Sequence, residues 1–408
     1  MHGGCGTVDL YSYFVLAIIL SQIVFLYQMA VNYRFAVQKA ARNRCNYNPR
    51  TVLIVPCKGL DAAFESNVTS FYRQDYPDYL LWFVVGDTDD PAYSELKRLR
   101  DKLLAVTKAR DVQILIAGAA QACSQKNHNL LHCYSHLPAD IEIIAFADSD
   151  ACLRSNWLAH IVYPLRKDKV GISSGYRWFV PQKNNSATLA LSTINARIAQ
   201  LLGAYRFNQA WGGSMAIRVE VFRQLGIEQL WAASICDDLS LSYAVRKAGK
   251  RIRFVPACLV ASYEQTTWRN FLSFGRRQFL LTRITTPGTW WFGLLSSFYS
   301  VIGLYGGAIA AVYAYYTANA HWKLIAAVPV TFFVGHLFCS ILRQHLIVKL
   351  LPADAAAMKV ARWADIAAGW LLSPVLLAII ISSAFGRRVR WRGITYKLIS
   401  PTKTIVET

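Results

Sequence analysis

Four aspartates fall into two close pairs, Asp148-Ser149-Asp150 and Asp237-Asp238. The first pair ends an apolar run, Ile143-Ile144-Ala145-Phe146-Ala147, that reads as a buried strand. Its carboxylates therefore emerge together at the strand's C-terminal end, where open α/β sheets place their ligand crevice. Two aspartates one residue apart can each give an oxygen to a Mg²⁺ or Mn²⁺ ion whose shell is completed by substrate phosphates. The same tripeptide can equally be a turn that caps a helix starting near Asn156, because Asp and Ser favour such positions for hydrogen-bonding reasons. The second pair opens a helix over Leu239 to Lys247 that Gly249 ends. Acids in a first helical turn are also what the macrodipole favours, so that pair has a structural reading beside the chemical one.

Other polar clusters are weaker. His128, His132 and His136 recur every four residues and share a helix face, as zinc-binding histidines can. With no carboxylate or cysteine completing a familiar pattern, a half-buried polar face is the simpler reading. The glycine bend Trp211-Gly212-Gly213-Ser214-Met215 would let backbone approach a ligand closely.

The elements that must position these residues alternate between short strand-like runs and amphipathic helical ones from Thr51 to about Arg283, the mark of an α/β domain with a largely parallel sheet. Strands are expected at Thr51–Val55, Tyr79–Val85, Val112–Ala117, Ile143–Ala147 and Val170–Trp178. Helices are expected at Glu65–Arg73, Pro91–Lys108, Gln125–Ser135 and Ala187–Leu202. Around this core the chain is apolar: 54% of its 408 residues are hydrophobic, too many for an ordinary soluble enzyme. Leu10 to Val31 is long enough to span a hydrocarbon core of roughly 30 Å. No small-residue cleavage site follows it, so it reads as a retained anchor. Arg34, Lys39, Arg42, Arg44 and Arg50 come next with no acid before Asp61, which by the positive-inside rule places the following domain in the cytosol. Three further apolar segments, Trp290–Ala318, Leu324–Leu342 and Ile366–Phe385, are also long enough to span. The organisation expected is therefore an anchor and basic linker over 1–45, a cytosolic catalytic domain over 46–285, and membrane helices with a basic tail over 286–408.

The net charge of +20 calls for an acidic partner. The basic residues cluster at membrane edges and not in one aromatic-laced patch, which speaks against nucleic acid and for lipid headgroups or a phosphorylated substrate. Nine cysteines without a Cys-x-x-Cys pair indicate neither a zinc ribbon nor a thioredoxin motif.

Three stretches in order carry a resemblance: Val55-Pro56-Cys57-Lys58-Gly59-Leu60-Asp61, Asp75-Tyr76-Pro77-Asp78-Tyr79, and Val85-Gly86-Asp87-Thr88-Asp89-Asp90-Pro91-Ala92. The chain resembles ceramide glucosyltransferase and its bacterial relatives among the family-2 glycosyltransferases, over nearly its whole length. That resemblance implies a type A glycosyltransferase fold, a nucleotide-diphospho-sugar donor of the UDP-sugar kind, and a single inverting displacement. It implies that Asp87 lies near uracil and ribose, that Asp148 with Asp150 holds the metal on the diphosphate, and that Asp238 is the general base with Asp237 beside it. Lys58 falls on the family's Pro-x-Lys-Gly loop, Lys126 and Asn129 on its Lys-x-x-Asn, and Gly212, Gly213 and Ser214 on its acceptor-side glycines. The family's Gln/Arg-x-x-Arg-Trp falls on Gly275-Arg276-Arg277-Gln278-Phe279, where Gln-Phe replaces Arg-Trp. Arg276, Arg277 and Gln278 are the donor-side expectations there.

This set suits moving a sugar from a nucleotide diphosphate to an alcohol. A divalent ion on Asp148 and Asp150, aided by Arg276 or Arg277, would neutralise charge on the departing diphosphate. A carboxylate flanked by a second acid tends to have a raised pKa, useful for proton removal, and Asp238 is such a group. Thr267 to Arg283 reads as a helix with Phe271, Phe274, Gln278 and Leu281 on one side and arginines available for headgroups or the diphosphate, and it leads straight to Trp290-Trp291 and a span. A membrane lipid is accordingly the expected acceptor. The rival readings are a processive polysaccharide synthase, a transferase for diacylglycerol or a hopanoid-like lipid, and a membrane scaffold with a decayed transferase domain. Finally, the basic tail Arg387 to Lys403 and the Ser373-Pro374 break suggest that Ile366–Phe385 enters and returns on the cytosolic side.

Overall fold

The computed structural model of the chain describes residues 5–42, 46–61, 63–391 and 394–407. Arg44, Cys45 and Arg392 of the basic segments lie outside the described residues. Seven strands, β1 (Thr51–Pro56), β2 (Tyr79–Val85), β3 (Asp111–Ile116), β4 (Ile143–Ala147), β5 (Val170–Pro181), β6 (Ser214–Arg218) and β7 (Arg251–Glu264), form one sheet in the order β3-β2-β1-β4-β6-β5-β7. The β3-β2-β1-β4 half is parallel throughout. On the other half β6 runs antiparallel to β4 and β5, while β5 and β7 are parallel. The sheet is thus mostly parallel, as expected from the sequence.

Its central strands are buried on both faces, and their alternation divides the core in two. Leu53, Val55 and Ala145 pack with Phe71, Leu96 and Trp157 on one side, while Val52, Ile54 and Phe146 pack with Leu130, Phe222 and Trp231 on the other. Each such large side chain contributes about 1.5–3 kcal/mol of burial, so a one-residue slip of β1 or β4 would empty both faces at once. The chain leaves β1 toward β2 and β3, then returns to lay β4 on β1's opposite edge. The loops after β1 and β4 consequently diverge over a switch point, and both site-bearing segments, Lys58-Gly59 and Asp148-Ser149-Asp150, lie there.

Helix starts fix two site loops. Asp90 accepts from Ala92 N–H at 2.9 Å, with Pro91 at the first helical position of Pro91–Leu103, and also accepts from Gly59 N–H at 2.8 Å. One capping carboxylate therefore joins the loop after β1 to the loop after β2. Ser124 caps Gln125–Ser135 through Asn127 N–H, which sets the helix that carries Lys126.

Four helical stretches are long and apolar enough to cross a membrane: Ser12–Ala40, Pro287–Tyr316, Trp322–Leu350 and Lys359–Ser382. Leu16, Leu20, Ile23, Phe292, Leu295 and Phe298 are exposed, as lipid-facing residues are. The fourth stretch is broken by a 3₁₀ turn at Gly369–Leu371, which leaves the helix Leu372–Ser382 of 11 residues. At 1.5 Å per residue that piece covers about half of the hydrocarbon core. Its two ends are both held by arginines of the catalytic region. Arg197, on Ser186–Gln200, donates to Gly369 O and Ser373 Oγ at the start. Arg276, on the helix Trp268–Thr285, donates to Ser382 O (3.2 Å) and Phe385 O (2.9 Å), and Arg283 donates to Ala384 O and Gly386 O at the end.

Beside this segment lies a sealed ion pair. Arg343 binds Asp365 through both Nε (2.6 Å) and Nη2, Gln344 donates to the same carboxylate at 2.7 Å, and Arg343 also reaches Gln200 Oε1 at 3.3 Å.

The sequence reading includes neither β6, β7 nor the short helices Val219–Gln224 and Ile227–Ala232, and the basic tail proves to be a three-stranded antiparallel sheet of β8 (Arg388–Trp391), β9 (Ile394–Ser400) and β10 (Lys403–Glu407). Val389, Tyr396 and Leu398 point inward onto Ile235, Cys236, Leu280 and Leu281, and Thr404 N–H donates to Ala233 O at 2.7 Å. The tail therefore packs on the segment that runs into Asp237-Asp238.

Candidate active site

The two aspartate pairs, far apart in sequence, meet on one lysine. Lys126 Nζ lies 2.7 Å from Asp148 Oδ1 and 2.9 Å from Asp237 Oδ2. The Asp148 and Asp237 side chains are 25% and 6% exposed, so Asp148 faces the cleft while Asp237 forms its wall. Burial alone would lower the lysine's pKa, but the surrounding Asp148, Asp237 and Asp238 charges outweigh it and hold the ammonium above its usual range.

The glycine bend closes against this pair. Trp211 N–H donates to Ser174 Oγ (2.9 Å) and Gly212 N–H to Asp238 Oδ2 (3.1 Å). A Cβ on Gly212 would sit 2.1 Å from Asp237 Oδ2 and 2.7 Å from Lys126 Nζ, so only glycine lets the backbone lie across the ion pair. A Cβ on Gly213 would meet the Trp211 ring and Asp148 Oδ2. Asp238 also accepts from Leu239 N–H at 2.7 Å. Even so, burial first and the Asp237 charge second push its carboxyl up to about 6.

Asp150 is raised to about 6 as well, by burial and then by Asp148, with Arg177 pulling the other way. Its Oδ1 is sealed from solvent and has no hydrogen-bond donor. Between them, Ser149 is fixed by Asn67, whose Nδ2 donates to Ser149 O at 3.1 Å, and its hydroxyl faces Asp61 Oδ2 at 3.4 Å. Among the described residues no group of three His, Cys, Asp or Glu side chains forms a ready metal cage. The Asp148–Asp150 pair could hold a hard cation if substrate oxygens supplied the rest of its shell. The orphaned Asp150 oxygen fits that chemistry.

The remaining expected residues are spread more widely. Asp87 is exposed at the end of β2 and accepts from Asp89 N–H at 3.0 Å, which shapes the loop. Lys58 stands exposed across the switch point from it. Asn129 is buried, accepting from Gln125 Nε2 at 2.8 Å and donating toward Val84 O, so it braces the end of β2. Arg276 is engaged with the carbonyls of Ser382 and Phe385, whereas Arg277 lies between the Phe274 and Trp391 rings at 5.4 and 5.6 Å. Gln278 is half-buried on the same helix. The histidines do other work: His128 Nε2 meets Ala117 O at 2.9 Å, and the His132 and His136 rings lie 4.5 Å apart, tilted by 47°.

Sequence reasoning passed over Arg177. It stands in the middle of β5 among apolar residues and carries no motif signal. In the fold its guanidinium lies 4.6 Å from the Phe179 ring centre, 5.3 Å from Phe274 and 5.5 Å from Trp211.

Known proteins are similar to this chain at two levels, structure and sequence family. The mannosyltransferase PcManGT from Pyrobaculum calidifontis, solved in complex with GDP-Man and Mn²⁺, is similar over 91% of this chain and 97% of its own, with 16% identity and a TM-score of 0.47. GalNAc-T7 with UDP, GalNAc and Mn²⁺ is similar over 57% of this chain and 48% of its own, with 15% identity and a TM-score of 0.40. The sequence profile of glycosyl transferase family 21 matches residues 13–404, so the family number is 21 where the motif resemblance suggested 2. That match runs through the anchor, the carboxylate cleft and the C-terminal strands: the chain belongs to glycosyl transferase family 21, the family of ceramide glucosyltransferases, and is a glycosyltransferase.

Proposed function

We propose that the protein transfers a hexose, glucose foremost, from a UDP-sugar to a hydroxyl of a ceramide-like membrane lipid on the cytosolic face, with inversion. The observation that carries this reading is the junction of the carboxylate cleft with the membrane. The helix Trp268–Thr285 sets Phe274 against Arg177, whose guanidinium also meets Trp211 at the cleft, and is followed at Pro287 by a stretch long and apolar enough to span a membrane. An amphiphile lying in the leaflet would meet the carboxylates without leaving it.

In the reaction, the acceptor oxygen attacks the anomeric carbon as the bond from that carbon to the diphosphate breaks. The electron pair leaves with the nucleotide diphosphate. Asp238 takes the hydroxyl proton, its raised pKa making the carboxylate a competent base near neutral pH. Lys126 holds Asp148 and Asp237 in register, and Gly212 N–H orients Asp238. Asp148 and Asp150 would hold a divalent ion, Mg²⁺ or Mn²⁺, which when bound supplies positive charge for the leaving diphosphate. Asp87 and Lys58, on the β1–β2 side, line the nucleotide end, and Arg277 supports the diphosphate from the lip. Incubating membranes that contain the protein with labelled UDP-glucose, UDP-galactose and UDP-N-acetylglucosamine should give a lipid carrying one sugar. A long polymer would point to a processive synthase, and no product would defeat the reading.

Topology belongs to the same proposal. Both ends of Gly369–Gly386 are tied to catalytic-region arginines, which supports a segment that enters and returns on the cytosolic side, with three true spans. All basic segments then lie in the cytosol. Thr404 is buried against Ala233, so the reporter belongs at exposed Lys403. A Lys403→Cys variant without other reactive thiols should resist an impermeant maleimide in intact cells and react once they are opened. Labelling of intact cells would make the segment a fourth span.

A further inference from the structure

Arg177 is charged, half-buried and surrounded by three aromatic rings, yet among the described residues no carboxylate pairs with it and no carbonyl accepts from it. A guanidinium bears five N–H donors, and rings satisfy its faces but not its edge. The ring centres of Phe179, Phe274 and Trp211 lie within 5.5 Å of the guanidinium, and Trp211 leads directly into the Gly212-Gly213 bend that lies against Asp148 and Asp237, which puts Arg177 beside the carboxylate cleft.

Two features say what the edge is for. In the sheet, β5 is separated from β4 by β6, while the loops expected to hold the nucleotide follow β1 and β2 on the other side of β4. Arg177 thus lies beyond Asp148 and Asp150 on the side away from the donor's base. Its companion rings, Phe179 and Phe274, belong to an apolar cluster with Leu191, Ile194, Phe271 and Ile379 that draws on the re-entrant segment. Polar cleft, cation and apolar cluster follow one another in the order that the hydroxyl, headgroup and tail of a membrane lipid would require.

We propose that Arg177 is a specificity-determining residue for the acceptor, donating hydrogen bonds to the oxygen-rich headgroup of a lipid and so holding its reacting hydroxyl toward Asp238. This rests on the lipid-acceptor reading above. The aromatic cage keeps the guanidinium in place when no lipid is bound and sets the plane in which its donors point.

The test measures steady-state transfer from UDP-glucose, in detergent micelles, to short-chain ceramide, diacylglycerol and a hydroxylated hopanoid, following whichever the wild type converts. It also measures UDP affinity in Mn²⁺ by tryptophan fluorescence. Arg177→Ala should raise the acceptor KM about tenfold, the scale of one or two lost hydrogen bonds to a charged group, with UDP affinity unchanged. Arg177→Lys, which keeps the charge but not the fork, should fall between. A tenfold loss of UDP affinity with the acceptor KM unchanged would overturn the proposal and make Arg177 a donor ligand. Unchanged KM values with a lower Tm would overturn it in favour of a packing role. If the wild type itself converts no lipid, the acceptor reading fails first and this assignment with it.

Discussion

Two clusters in this molecule pair a buried cation with aspartate, and they are built to opposite ends. At Asp365 the carboxylate receives Arg343 through two nitrogens and Gln344 as well, so both of its oxygens are hydrogen-bonded and its charge is matched by one guanidinium. At Lys126 one ammonium serves Asp148 and Asp237, with Asp238 and Asp150 close by, so negative charge exceeds positive. A satisfied pair in a low-dielectric setting holds helices together and asks for nothing more. An undercompensated cluster keeps protons it would otherwise lose, and it gains most from a ligand that brings positive charge. The excess at Lys126 is the balance that a site for a cationic ligand requires, and the matched charge at Asp365 suits a contact that holds helices together.

The largest break in this contrast should come from Asp148→Asn. A neutral amide is a much weaker ligand for a hard cation, so metal-dependent transfer should vanish while the Tm stays near that of the wild type. Full activity of that variant in excess chelator would remove the metal assignment. Asp365→Ala should do the reverse. Leaving Arg343 buried without its partner should cost about 3–5 kcal/mol of stability, read as a fall in Tm, while the folded fraction keeps its KM for nucleotide sugar. A variant equally stable but inactive would show the two clusters to be one functional unit.

Asp238→Asn sharpens the comparison further. Loss of a general base should slow turnover by roughly 100-fold or more with nucleotide-sugar binding retained, and matched losses in both would make Asp238 a donor-site residue. The same carboxyl sets the pH profile. Its pKa is raised toward about 6, so it is protonated and idle below that point and ionised above it. The rate should therefore rise as pH increases through that region and then level off. A rate that falls over the same interval would contradict the base assignment. The smallest effect is expected from Thr404→Pro, which deletes the donor to Ala233 O and should lower turnover a few-fold by loosening the segment before Asp237, with UDP affinity kept.

What could be read beforehand, and what could not, follows from the range of the signals. β1, β2, β4 and the helix Gln125–Ser135 were legible because uninterrupted apolar runs or a capping serine mark them locally. β7 was hidden by Arg251, Arg253 and Pro256, which interrupt the run, although the strand is pinned on β5 through a register shift between Ser174 and Tyr176. The tail was counted as charge, and its period of two went unread: Arg388, Arg390, Lys397 and Lys403 face out while Val389, Tyr396, Leu398 and Thr404 face in. In the cleft, the aspartate pairs announced themselves at a strand end and a helix start. Their meeting on Lys126, and the approach of Gly212 to that pair, depend on chain crossings that no spacing encodes. The arginines after Phe274 look alike in sequence, and only the fold shows that Arg276 is spent on the carbonyls of Ser382 and Phe385.

The docking of β10 on Ala233 has a consequence for how the protein comes into being. Ribosomal synthesis delivers residues 403–407 after the four long apolar helical stretches, yet they pack on the segment that leads into Asp237 and Asp238. Until that strand has docked, the segment from Ala233 to Cys236 lacks both a hydrogen-bond partner and part of its apolar packing, so the start of the helix at Asp237 takes its final support from the part of the fold that is made last among these elements.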